Sequence, residues 1–288
     1  MKNFKYGTIV SSLLGLLLCL LFTALPAASQ SQSDTKRLDE PVTVPGPQPA
    51  NKPVPAPSAP LTKEELLTKA DSTYYFLQNL GLQSFRCTVQ PNWAQIISDQ
   101  GQLALLRDVE YSAVIDDHGV ETITAFRTDD AAIDASVSQI VNGVKETIEG
   151  FFESWNNMVF LPLFAPAADD SFGFSWDATG YHLTQKTADS DSELTMTKDA
   201  LVTAMKVVTG GSTISMQPKY TKTEHGLLLT ELDSHIDSSS GSQLVNFEVE
   251  YQLIQGFELP VKVGYQVTLP SQTVSIDIAF ADYKLVTH

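Results

Sequence analysis

The sequence predicts an α+β fold: a strongly curved antiparallel sheet, an incomplete β-barrel, covered by two long helices. Three observations predict it. From Phe172 to the C-terminus, short runs alternate apolar and polar residues, the period of half-buried strands. Two stretches upstream carry apolar residues at helical spacing instead. Finally, eight to ten strands at ~4.8 Å make a sheet roughly 40–50 Å wide, more than two helices of ~10 Å can roof.

The chain opens with Lys2 and Lys5, an apolar run from Ile9 to Leu25, and the small residues of Pro26-Ala27-Ala28-Ser29. That pattern describes a secretory signal peptide over 1–29 and an exported protein, periplasmic or extracellular. If the segment is not cleaved, it serves as a membrane anchor. Without it, 16 basic and 34 acidic side chains leave a net charge of −18. Such a surface repels phosphate backbones, which argues against a nucleic-acid partner. Cys87 is then the sole cysteine, so no internal disulfide can form and the fold rests on its core.

Residues 30–61 read as a disordered linker. Its stretch 41–60, PVTVPGPQPANKPVPAPSAP, holds eight prolines and can form neither helix nor sheet interior. It is expected to act as a semi-rigid spacer, either passive or a tether that docks a partner. One α+β domain is expected over 62–288.

That domain starts with a helix. Thr62 and Glu65 make a capping box, Leu61 and Leu66 sit at staple positions, and Leu66, Ala70, Tyr74, Leu77 and Leu80 form one stripe ending at Gly81. A strand follows at 84–90, with Cys87 on its apolar face as a buried, inert thiol. Residues 93–106 read as one or two short helices, and 109–127 as a hairpin around Asp117-His118-Gly119. The second long helix is expected from near Asp129 through Met158, about 45 Å at ~1.5 Å per residue, stopped by Pro162. Strands are expected near 172–176, 180–187, 192–198, 213–217, 226–237, 243–255, 259–269 and 272–286. Residues 199–209 fit helix and strand equally well.

No motif carries chemistry. The five histidines form no pair at metal-ligand spacing, and no nucleophile elbow, phosphate loop or paired-cysteine motif occurs. Asp189, Asp191 and Glu193 alternate as in a calcium loop, but the central glycine and distal glutamate of such a loop are missing. Asp169-Asp170 reads as solvated surface, and Trp93, Trp155 and Trp176 as core or rim. The protein is therefore not expected to be an enzyme, and no cofactor or metal is expected.

The capped helix, the strand SFRCTV and the C-terminal stretch VEYQLIQGFELPVKVGYQV…VSIDIAFADYKL together resemble the periplasmic lipoprotein-carrier and outer-membrane lipoprotein-sorting superfamily. The turn Gly256-Phe257-Glu258-Leu259-Pro260 is the most telling local match. The resemblance implies a half-open barrel holding acyl chains under a helical lid. It covers roughly 62–90 and 226–286, whereas the proline spacer and the 129–160 helix depart from the family pattern. The function read from these residues is an exported, non-enzymatic binding module for a lipid or other apolar small molecule. Phe247, Val249, Tyr251, Val263, Tyr265, Ile278 and Phe280 are the candidate lining. The alternative is an envelope structural or interaction protein with a filled core, carried on its proline tether to an envelope protein partner.

Overall fold

A computed structural model describes residues 60–160, 172–188, 190–239, 241–270 and 272–288. The stretch 1–29 read as a signal peptide, nearly all of the 30–61 segment read as a spacer, Pro162, Asp169, Asp170 and Asp189 lie outside the described residues. Helix α1 (Lys63–Thr73) precedes strand β1 (Leu82–Pro91), short helices α2 (Trp93–Ile96) and α3 (Gln100–Leu106), and the hairpin β2 (Val109–Ile115) and β3 (Glu121–Arg127). Helix α4 (Ser138–Trp155) runs into a turn of π-helix, Asn156–Phe160. Nine consecutive strands complete the chain: β4 (Phe172–Asp177), β5 (Gly180–Lys186), β6 (Ser190–Met196), β7 (Val202–Thr209), β8 (Ser212–Thr223), β9 (Gly226–Ser238), β10 (Gly241–Ile254), β11 (Phe257–Leu269) and β12 (Gln272–Thr287).

All twelve strands form one antiparallel sheet in the order β3-β2-β1-β12-β11-β10-β9-β8-β7-β6-β5-β4. The C-terminal nine make a meander, and β1 joins the N-terminal three to it through β12. The period-2 reading of the C-terminal half holds, and residues 202–209 settle as a strand. The helical covering is corrected. The sheet runs open from β3 to β4, and one long helix, not two, lies on it.

Local chemistry explains both shortened helices. The Thr62–Glu65 capping box forms as expected, with Thr62 N–H donating to Glu65 Oε2 at 2.8 Å and Glu65 N–H to Thr62 Oγ1 at 3.2 Å. But α1 stops at Thr73, because three aromatic residues follow and the backbone beyond them finds partners elsewhere. Tyr75 N–H donates to the Leu227 carbonyl at 3.0 Å, Leu77 N–H to Val159 at 2.9 Å, and Gln78 N–H to Phe160 at 3.2 Å. Gly81, at φ 98°, ends the following turn into β1 rather than capping α1. Residues 129–137 likewise stay out of α4. Asp129 is held by Arg127 at 2.7 Å, Asp130 has φ 57°, and the Asp134 carboxylate accepts the Ser136 N–H at 2.8 Å, a local turn that competes with helix.

Helix α4 fills the apolar face over β1 and β10–β12. Tyr111 of β2 donates to the Val141 carbonyl at 2.7 Å and fixes its first half. In its last turns Phe151 meets Phe247 edge-on at 5.5 Å and Phe280 at 5.6 Å, while Phe152 meets Phe280 at 5.7 Å. Phe85 of β1 packs edge-on to Trp155 at 6.1 Å. Edge-to-face pairs of this kind add about 0.5–1.5 kcal/mol each beyond the area they bury.

Burial raises the Tyr74 phenol to about 12 and pushes Tyr111, Tyr251 and Tyr265 upward as well. The unfolded chain releases phenolic protons near pH ~10 and the folded chain does not. Stability is therefore full below that pH and falls as pH rises through the Tyr74 value. The phenolate absorbance of these four tyrosines should rise in one step that coincides with loss of far-ultraviolet circular dichroism. Gradual titration of these four phenols near pH ~10 with the fold intact would contradict this packing.

Candidate functional site

The strands do not stay paired along their whole lengths. The β9–β10 ladder runs from Gly241↔Ser238 to Glu248↔Glu231 and ends there, while β10 continues along β11 to Ile254. The β7–β8 ladder runs from Thr209↔Ser212 to Met205↔Met216 and ends there, while β8 continues along β9 to Thr223. The distal half of the β8–β9 hairpin, residues 217–230, therefore stands between two splits in the sheet.

The split toward β10 is filled. Tyr75 N–H bonds the Leu227 carbonyl, Tyr251 Oη donates to the Leu229 carbonyl at 2.6 Å, and Trp155 Nε1 donates to Tyr251 Oη at 2.9 Å. Position 226 must be glycine: a Cβ there would stand 2.7 Å from the Tyr74 carbonyl carbon, at φ 129°.

The split toward β7 is open, and sequence makes it so. The Gly210-Gly211 turn, with both φ positive, closes the β7–β8 hairpin at Thr209↔Ser212. A two-residue turn makes that closing pair a hydrogen-bonded one. Bonded pairs then recur at every second residue, so Ser212, Ile214 and Met216 turn their backbone groups to β7. Next in phase is Pro218, which has no N–H to give. On the facing strand a bulge between Thr195 and Met196 shifts the β6–β7 register at Thr203 and carries β7 away. Tyr220 and Lys222 follow in the same phase of β8, with no strand opposite them among the described residues.

The resulting groove has a volume of about 660 Å³. Its walls are Leu201, Val202 and Thr203 on one side and Pro218, Tyr220 and Leu227 on the other, with Thr73 of α1 also lining it. Tyr74 bridges the strands beside it. Its ring packs edge-on against Tyr220 at 5.2 Å. Its hydroxyl accepts from Val202 N–H at 2.6 Å and donates to the Ala200 carbonyl at 3.0 Å. The β7 wall thus has a backbone partner where the β8 wall has none among the described residues. The rim is charged. Asp199 pairs with Lys69 at 3.0 Å, and Lys219 pairs with Glu231 at 2.6 Å and Asp233 at 3.0 Å. Lys222 is exposed and makes no ion pair among the described residues.

The seven residues expected to line a ligand cavity do come together, on the apolar face of β10–β12. Phe247, Val249, Val263, Tyr265, Ile278 and Phe280 are buried at 0–6% exposure, and Tyr251 is half-buried in the Trp155 hydrogen bond. The space over them is occupied by Phe151, Phe152 and Trp155 of α4. None of them reaches the groove. The groove's own residues escaped the sequence reading, which ended a strand at 217. A proline one residue later, inside a run that still alternates, was the available sign of an edge without a neighbour.

Two further polar clusters and a buried thiol lie among the described residues. His182 sits between carboxylates, Nδ1 2.9 Å from Glu193 and Nε2 3.2 Å from Asp177. Burial opposes its charge, but these two acids outweigh burial and hold it above the ordinary histidine value. The acids face opposite ring nitrogens, so the trio cannot share one ion. Asp237 accepts from Ser242 and lies 3.0 Å from His235, so the acid stands between the serine and the histidine and no base faces the hydroxyl. Burial pushes the Cys87 thiol up to about 12, which leaves no thiolate to react. Among the described residues no group of three or more acids, histidines and cysteines is placed to hold a metal ion.

No protein-family model matches the chain, and no curated protein matches it. Among solved structures it is similar to the crystal structure of MucB in complex with MucA(peri). The identity is 8%, over 77% of this chain and 97% of that one, at a TM-score of 0.13. So low a score carries no argument about fold, partner or activity. The large antiparallel sheet implied by the resemblance to lipoprotein carriers is present, without a family match beside it.

Replacing Tyr74 with phenylalanine removes the hydroxyl shared by Val202 N–H and the Ala200 carbonyl. Each buried backbone group left without a partner costs about 1–3 kcal/mol. Tyr74→Phe is expected to lower the unfolding free energy by a cost in that range, read as a lower urea midpoint at an unchanged m-value. A loss within error of zero would show that the hydroxyl does not hold the β7 wall.

Proposed function

We propose that this protein is an exported, non-enzymatic binding module whose guest lies in the groove between β7 and β8. One observation carries the reading. Of the two splits that flank the β8–β9 hairpin, one is closed by the chain's own tyrosines and the other keeps a strand edge unpaired among the described residues, above apolar walls. A soluble protein has reason to close such an edge, and leaving it open suits it to recognition. The volume is within the range of ligand pockets, about 300–1,000 Å³. The basic, apolar and small-residue pattern of 1–29 supports export. The filled face over β10–β12 speaks for the groove, rather than the residues under α4, as the guest site.

Titration with the environment-sensitive dye anilinonaphthalene sulfonate tests this. One saturable site is expected. It should be lost in Thr203→Trp, where an indole from the exposed β7 position fills the groove, with melting temperature and circular dichroism unchanged. Undiminished dye binding in a folded Thr203→Trp protein would place the apolar surface elsewhere and contradict the reading.

A further inference from the structure

We propose that the guest is an extended polypeptide carrying a side-chain carboxylate, which adds to β8 as a strand and sets that carboxylate against Lys222. The inference rests on the groove being the binding site and goes on to name the chemistry of its occupant.

The backbone argument comes first. The Pro218 carbonyl and the N–H and C=O of Tyr220 and Lys222 recur at two-residue intervals on one edge, about 6.8 Å apart at ~3.4 Å per residue. Donors and acceptors at that repeat are met by another extended backbone; an acyl chain has neither. The opposite wall does not compete for the guest, because Val202 N–H is already given to Tyr74 Oη. Pairing is therefore one-sided. Pro218 sets its inner limit, since it accepts from the guest and cannot donate.

Side chains set the rest. In phase with this edge, Pro218 and Tyr220 point with Val202 and Leu227 into the apolar part of the groove, so alternate guest residues are apolar. Toward the hairpin tip the same phase ends in Lys222. The neighbouring rim charges are used: Lys219 faces Glu231 and Asp233, and Asp199 faces Lys69. Lys222 carries no such partner among the described residues, in a chain with 34 acidic and 18 basic side chains. A guest carboxylate at the tip end supplies one. A second copy of this chain, with net charge −16, is a poor occupant on the same electrostatic ground.

Two fluorescein-labelled, end-blocked heptapeptides test the inference by anisotropy at physiological salt. Both alternate valine and threonine, and one has glutamate at each end, the other lysine, so either strand direction presents the charge to Lys222. The glutamate peptide is expected to bind, and the lysine peptide to bind about fivefold more weakly, the ratio expected for an exposed ion pair worth ~1 kcal/mol. Lys222→Glu, an exposed substitution that leaves the fold intact by circular dichroism, should reverse the order. Equal binding of the two peptides overturns the carboxylate assignment and leaves the groove reading standing. Failure of both peptides while the dye still saturates the groove overturns strand addition in favour of an apolar small molecule. Loss of both peptide and dye binding removes the groove reading itself, and this inference with it.

Discussion

A strand that parts from its neighbour must find other partners for its backbone groups, and this requirement organises the molecule around the β8–β9 hairpin. Twelve antiparallel strands make one sheet, yet the ladders on either side of this hairpin stop well short of its tip. Toward β10 the requirement is met from a distance. A segment leaving α1 and a tyrosine from β10 bond the carbonyls of Leu227 and Leu229, and a tryptophan from the end of α4 donates to that tyrosine's hydroxyl. Those contacts tie α1, α4 and the sheet into one body. They also explain why α1 is short: the residues that would extend it are needed as a strap.

Toward β7 the same requirement is met on one wall only. Tyr74 serves Val202 and Ala200, and nothing in the described chain serves Tyr220 and Lys222. Exposed polar backbone is hydrated at little cost, so the open edge is tolerable in the free protein. A guest that replaces that water gains little net from each hydrogen bond. Its affinity comes from apolar side chains buried against Val202, Pro218 and Leu227, with the backbone pairing fixing register. The interior is left out of this exchange, because the rings of α4 already pack the face over β10–β12.

Much of the architecture was legible in the sequence, for identifiable reasons. The strands from β8 to β12 bury one face and wet the other, so period-2 alternation marks them directly. The start of α1 was legible because Thr62 and Glu65 satisfy each other within four residues. The helix ends were not. Tyr74 and Leu77 continue a helical stripe in sequence, and it is Leu227, Val159 and Phe160, distant along the chain, that draw their backbone into an extended strap. The groove was less legible still. It has no motif, because it consists of the place where two ladders stop, and a ladder's end depends on what both strands do. Only Pro218 signals it locally. The apolar alternation of β10–β12, by contrast, looks the same whether a guest or the chain's own helix covers it. Periodicity reports that a face is dry and says nothing of what keeps it so.

The account turns on a missing neighbour, and backbone amide exchange reads that feature directly. In the free protein, Thr221 and Thr223 point their amides at β9, while Tyr220 and Lys222 point theirs into the groove. Residue-resolved hydrogen exchange by nuclear magnetic resonance should show the two threonine amides protected and the Tyr220 and Lys222 amides exchanging freely between them. Uniform protection from Gln217 to Thr223 would mean that β8 has a partner on both sides, and the open groove would then not exist.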